Sequence, residues 1–209
     1  MEQEIKKTGT TTVGIVCTDG VVLAADMRAT AGNMIMHKNF EKVIKVNDNI
    51  VVTTAGVVSD VQLLVKLVRA ELRLKQVRTN RLPTIKESAN LLGGLLYSNI
   101  RKYSLIPGIA HFLMGGKDND GVHLYDLAPD GSVAKIDDFF SSGSGSVFTF
   151  GVLESQYDAK INIQQGIELA EKCIKTALER DSASGNGFII YSIKMDGITK
   201  EKEQNLKLE

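Results

Sequence analysis

The chain has 209 residues, 43% hydrophobic and 24% charged, with 25 basic side chains balancing 25 acidic ones for a formal net charge of zero. This is the profile of a soluble globular protein of one large or two small domains. The missing basic excess argues against nucleic-acid or membrane-surface binding, and no stretch approaches the ~18 apolar residues of a membrane span.

Residues 1–9 hold Glu2, Glu4, Lys6 and Lys7 without an apolar centre, so they are not a secretory signal, and a cytoplasmic location is expected. Residues 10–17 and 21–25 are apolar and β-branched, with Asp19-Gly20 between them as a hairpin signal. If Asp19 and Gly20 form the turn, Thr18 pairs with Val21 and Val13 faces Asp26. That sets Asp26 three residues along the sheet from Thr10, roughly 10 Å by strand rise. A single bulge would reverse the face that Asp26 presents. Residues 43–46 and 50–54 predict two further strands, joined by Asn47-Asp48-Asn49.

The period then changes. Val57, Val61, Leu64, Val68 and Leu72 recur at three- and four-residue spacing, which predicts an amphipathic helix over 59–78. Pro83 suits the first turn of a second helix reaching about residue 102. Within it, Gly93-Gly94 weakens the helix and points to close packing against a neighbour. Strands over 110–115, 123–126 and 133–136 follow, with Pro129-Asp130-Gly131 turning between the last two. After the run 141–146 a helical segment extends to about 157, then an amphipathic helix over 163–179 aligns Ile167, Ala170, Ile174 and Ala177. A strand over 187–195 meets a hairpin-like Asp196-Gly197, and the charged tail from Lys200 is expected to fray. Strands, two helices, strands, two helices and a strand make one α+β domain with helices covering layered, largely antiparallel sheet.

Cys17 and Cys173 form no paired motif and read as small buried residues in a reducing compartment. His37, His111 and His123 make no zinc-type spacing with the cysteines or with each other, which leaves open only a metal site built from scattered residues.

Several residues bear chemistry. Thr10 reads either as an ordinary strand start or as a nucleophile. Cleavage after Gly9 would give Thr10 a free α-amine, with a pKa of about 7.7–8.0, beside its hydroxyl. Gly9 can take the unusual conformation that such an attack on the preceding carbonyl needs. Asp26 is either a strand-end turn residue or a functional carboxylate. Lys42 is either a solvated lysine or a buried amine that a carboxylate would hold charged. Gly56 makes a strand-to-helix turn or presents a backbone N–H to an oxyanion. Residues 141–146 are a flexible loop or an ordered turn supplying hydroxyls and amides, and they lack the lysine of a phosphate-binding loop. Residues 181–185 stop a helix at Gly185 or add further polar groups.

Taken in order, the segments are Gly9-Thr10-Thr11-Thr12-Val13-Gly14, then 19–30 from Asp19 through Asp26 and Arg28 to Thr30, Lys42, Ala55-Gly56, Gly143-Ser144-Gly145-Ser146, and Arg180-Asp181-Ser182-Ala183-Ser184-Gly185. This ordered set closely resembles the archaeal-type β subunits of the 20S proteasome, from about Thr8 to the last strand. The resemblance implies a four-layer αββα sandwich, two mainly antiparallel sheets between helix layers, of the N-terminal-nucleophile hydrolase fold. It implies a leader, residues 1–9, removed autocatalytically at the Gly9-Thr10 bond, a catalytic domain over 10–199, and a charged tail over 200–209. It implies a threonine endopeptidase that needs neither metal nor organic cofactor, with Thr10 as nucleophile, Asp26 as supporting carboxylate, Lys42 as activating amine and Gly56 as oxyanion-hole amide. Ser144, Asp181 and Ser184 would orient the Thr10 amine. Ala29, Phe40, Ile44, Thr54 and Val58 would line a pocket for large hydrophobic residues. The implied partners are a second β ring stacked on a seven-membered β ring, α-subunit rings, a regulatory ATPase and unfolded polypeptides. A catalytically silent ring subunit and a bacterial-type threonine protease are the alternatives.

Overall fold

The structure, a computed structural model, describes residues 9–105 and 107–206. Two five-stranded antiparallel sheets organise it. The first runs in the order β10 (Phe139–Ser142), β1 (Thr12–Cys17), β2 (Gly20–Asp26), β11 (Gly187–Lys194), β12 (Gly197–Asn205). The second runs β5 (Val43–Asn47), β6 (Ile50–Gly56), β7 (Ala110–Asp118), β8 (Gly121–Leu127), β9 (Val133–Ile136). A short hairpin, β3 (Ala29–Ala31) and β4 (Met34–His37), stands apart. The helices are α1 (Val58–Thr79), α2 (Ile85–Ile100), α3 (Ser146–Gln156) and α4 (Ile163–Arg180).

Strand alternation builds the layers, because successive side chains point to opposite faces. On β2, Val22 and Ala24 pack under α3 and α4, while Val21, Leu23 and Ala25 face the second sheet. On β6, Ile50 and Val52 pack under α1 and α2, while Val51 faces the first sheet. The result is a four-layer αββα sandwich with three apolar layers. Phe112 anchors one helix-facing layer and Phe188 the other, both without solvent exposure. Such burial contributes about 1.5–3 kcal/mol for each side chain.

The helices follow the expected periods. Val61, Leu64, Val68 and Leu72 are the buried stripe of α1, and Asn80 closes it in the left-handed conformation. Capping boxes start α2 (Thr84 with Glu87) and α4 (Asn162 with Gln165). Pro83 therefore lies just before the N-cap of α2 and not in its first turn. Gly93 meets β9 so closely that a Cβ there would lie 2.4 Å from Val133, whereas Gly94 faces open space.

Three expectations need correction. The turn between β1 and β2 is Thr18-Asp19, with Cys17 opposite Gly20 and Thr12 opposite Ala25. Asp19 is used elsewhere: its carboxylate accepts the Ile163 N–H at the start of α4, at 2.7 Å. Val13 therefore faces Ala24, and Asp26 lies opposite Thr11, whose carbonyl accepts its N–H at 3.1 Å. Of the tail expected to fray, residues 207–209 lie outside the described residues, and residues 200–205 instead form most of β12. There Glu201 accepts from Ser192, and Lys202 reaches Glu171 on α4 at 2.7 Å. An edge strand needs no apolar outer face, so its charges hid it. Strand β10 and the β3–β4 hairpin also escape the sequence pattern.

Cys17 and Cys173 are buried free thiols, and burial pushes both pKa values up to about 12. A thiol reagent at pH 8 is expected to modify neither in the folded protein and both in denaturant. Rapid labelling of the native chain would contradict this burial.

Among the described residues no helix is long and apolar enough to cross a membrane.

Candidate active site

Thr10 lies two residues before the start of β1, beside the β10–α3 turn. Its main-chain carbonyl accepts the Gly145 N–H at 3.3 Å. Gly143 has φ +92°, and a Cβ there would lie 2.1 Å from the Thr10 carbonyl oxygen. The run 141–146 is thus ordered: it ends β10, turns at 143–145 closely against Thr10 and starts α3.

Asp26, at the end of β2, is 1% exposed. Its Oδ1 accepts from Lys42 Nζ at 2.7 Å and from the Thr11 N–H at 2.9 Å. Its Oδ2 accepts from the Arg28 N–H at 3.0 Å and the Gly185 N–H at 3.1 Å. Lys42 is 3% exposed. Burial pulls its pKa below the usual lysine value, and the Asp26 carboxylate opposes that pull.

In the uncut chain the Thr10 nitrogen is a peptide amide, and it donates to Ser144 Oγ at 3.2 Å. Ser144 and Ser184 each donate to Asp181 Oδ2 at 2.6 Å. Because the Ser184 proton is committed to that carboxylate, Thr11 Oγ1 is the donor in its 2.7 Å bond to Ser184 Oγ. The carbonyl of Gly9 accepts from two directions: the Thr10 hydroxyl at 2.6 Å and Lys42 Nζ at 3.2 Å. The hydroxyl and the amine that could activate or stabilise it therefore meet at one carbonyl, that of the residue before Thr10.

Gly56 ends β6 with φ +114°, and a Cβ there would lie 2.3 Å from the Ile109 carbonyl oxygen, so no other residue fits without strain. It lines a cleft together with Thr10 and Lys42. Ala29, Phe40, Thr54 and Val58 also line this cleft, together with Thr30, Ala55 and Val61. Ile44 does not: it points to the helix side of its sheet and packs against the core beneath α1 and α2.

Thr11, Arg28 and Thr30 stand within the segments that carry the resemblance, but the sequence assigns them no role. Arg28 bonds Asn186 Oδ1 at 2.8 Å and the Ser182 carbonyl at 2.9 Å, so it pins the loop that carries Asp181 and Ser184. Its position two residues after Asp26 was the available signal. Among the described residues no group of His, Cys, Asp or Glu is arranged to hold a metal ion.

A strand-head threonine, a buried lysine–carboxylate pair and an αββα sandwich together define the N-terminal-nucleophile hydrolase class of fold. Residues 6–193 match the proteasome subunit family, and the chain belongs to that family. It is 42% identical to the proteasome subunit beta of Methanobrevibacter smithii, over 95% of each chain. It is 40% identical to that of Archaeoglobus fulgidus, over 94% of this chain and 90% of the relative. It is also 42% identical to that of Methanopyrus kandleri, over 88% and 87%.

Proposed function

We propose that the protein is a catalytic β subunit of a 20S proteasome core, a threonine endopeptidase that first cuts itself between Gly9 and Thr10. The observation that carries this reading is the Thr10 hydroxyl lying 2.6 Å from the Gly9 carbonyl oxygen, with Lys42 Nζ on the same oxygen.

In self-cleavage the Thr10 oxygen attacks the Gly9 carbonyl carbon. As the C–N bond breaks, the hydroxyl proton ends on the Thr10 nitrogen, leaving a Gly9 ester on Oγ1 and a free α-amine. Water then hydrolyses the ester to a Gly9 carboxylate and restores the hydroxyl. The same hydroxyl next attacks the carbonyl carbon of a peptide substrate: the α-amine accepts its proton and passes it to the leaving amine as the C–N bond breaks, and water hydrolyses the ester left on Oγ1 and restores the hydroxyl. Ser144, Asp181 and Ser184 orient the α-amine, and Lys42 and the Gly56 N–H stabilise the oxyanion. The lowered pKa of Lys42 brings this amine nearer to proton exchange at neutral pH.

Family membership supports assembly into seven-membered β rings, two stacked between α rings, with a regulatory ATPase feeding unfolded polypeptides in the cytoplasm. The direct test is intact mass after assembly: the wild-type chain is expected to lose residues 1–9.

The cleft offers apolar Ala29, Phe40, Val58 and Val61, and its lining includes the Lys42 ammonium. A peptide with Leu or Tyr before the cut is therefore expected to show a kcat/KM about tenfold or more above one with Arg. The reverse order in a fluorogenic peptide series would refute this pocket assignment.

A further inference from the structure

We propose that the Thr30 hydroxyl is a positioning residue for self-cleavage, holding Gly9 by its N–H while Thr10 attacks. The inference rests on the self-cleavage reading above.

Thr30 lies in the middle of β3 and lines the cleft. Its Oγ1 accepts the Gly9 N–H at 3.0 Å. Gly9 is buried, so this N–H has little access to water. Together with the two donors on the Gly9 carbonyl, the bond fixes both polar groups of the residue being attacked. Holding the carbonyl still lowers the entropic part of the barrier.

The contact belongs to the uncut chain, because Gly9 departs after hydrolysis. Nor can an incoming peptide with a side chain at the cut position lie where Gly9 lies. A Cβ at Gly9 would fall 1.8 Å from Ala183 Cβ and 2.7 Å from its Cα. The main chain there cannot easily retreat, since the Ala183 N–H bonds Asp181, the Ser182 carbonyl bonds Arg28 and the Gly185 N–H bonds Asp26. Substrates with side chains must therefore approach Thr10 along another line.

The test compares full-length wild type, Thr30→Val and Thr30→Ser, each assembled with its ring partners. Intact mass follows the loss of residues 1–9 with time, and peptide hydrolysis is measured on the same chains produced to start at Thr10. Valine keeps the shape and removes the acceptor, so leader loss should slow about tenfold. Serine should restore it to within about twofold, and the loss in peptide hydrolysis should be smaller than the loss in self-cleavage. Wild-type rates of leader loss in Thr30→Val, or equal losses in the two reactions, would overturn the inference while leaving the proposed activity standing. An uncut wild-type chain would overturn the self-cleavage reading, and this inference with it.

Discussion

Thr10→Ala is expected to retain residues 1–9 after assembly and to show no peptide hydrolysis above background. Removing a nucleophile typically costs at least about 10⁴-fold in turnover, because base and oxyanion donors then have nothing to activate. The substitution removes one hydroxyl whose described bond goes to the Gly9 carbonyl. That bond contributes about 1 kcal/mol to stability, so folding and ring assembly should survive. The experiment needs particles in which every β subunit carries the substitution, so that no active neighbour can trim the leader. Intact mass and fluorogenic peptide hydrolysis on one preparation decide the matter. An uncut wild-type chain that hydrolyses peptides would sink the mechanism, because its Thr10 nitrogen would still be an amide.

The second large effect is expected at Asp26→Asn. The Asp26 side chain is 0% exposed and its Lys42 partner 3%, at 2.7 Å. Asparagine keeps the size but removes the counter-charge, and its amide N–H₂ would turn toward groups that themselves donate. Breaking such a buried pair on one side destabilises a protein by about 3–5 kcal/mol. The pH dependence has a definite sign. Burial holds the Lys42 pKa below its unfolded value, and without Asp26 the main opposing influence is gone. Between the lowered folded pKa and the unfolded one, the unfolded chain binds more protons, so stability rises with pH. Thermal unfolding of the variant should therefore improve from pH 7 to pH 10 relative to wild type. Leader removal should fail at pH 7. A variant as stable as wild type at pH 7 would show that the pair is not a coupled, desolvated unit.

Much of this molecule could be read before any coordinates. The stripe Val61, Leu64, Val68 and Leu72 specified α1, since a 3.6-residue period needs only local sequence. Thr10, Asp26, Lys42, Ser144, Asp181 and Ser184 stood out as an ordered set, and in the uncut chain hydrogen bonds join them, with the Gly9 carbonyl linking Thr10 to Lys42. Register was not legible in the same way. Asp19-Gly20 announced a hairpin, but Asp19 was drawn to the start of α4, and the turn moved back by one residue. That slip puts Asp26 opposite Thr11 instead of Val13.

By itself the sequence determined the order of the four helices and of eight of the twelve described strands, the apolar faces of the helices and the residue types able to do chemistry, because these depend on neighbours a few positions apart. The tertiary structure decided which of those residues meet. Thr10 and Ser144 are 134 residues apart, and Thr11 and Ser184 are 173 apart. Their contact depends on how two sheets and a loop pinned by Arg28 pack. The same packing turned Ile44 away from the cleft and toward the core, and it brought Thr30 to Gly9. Strand parity and side-chain packing set these outcomes, and neither is encoded within a short stretch of chain.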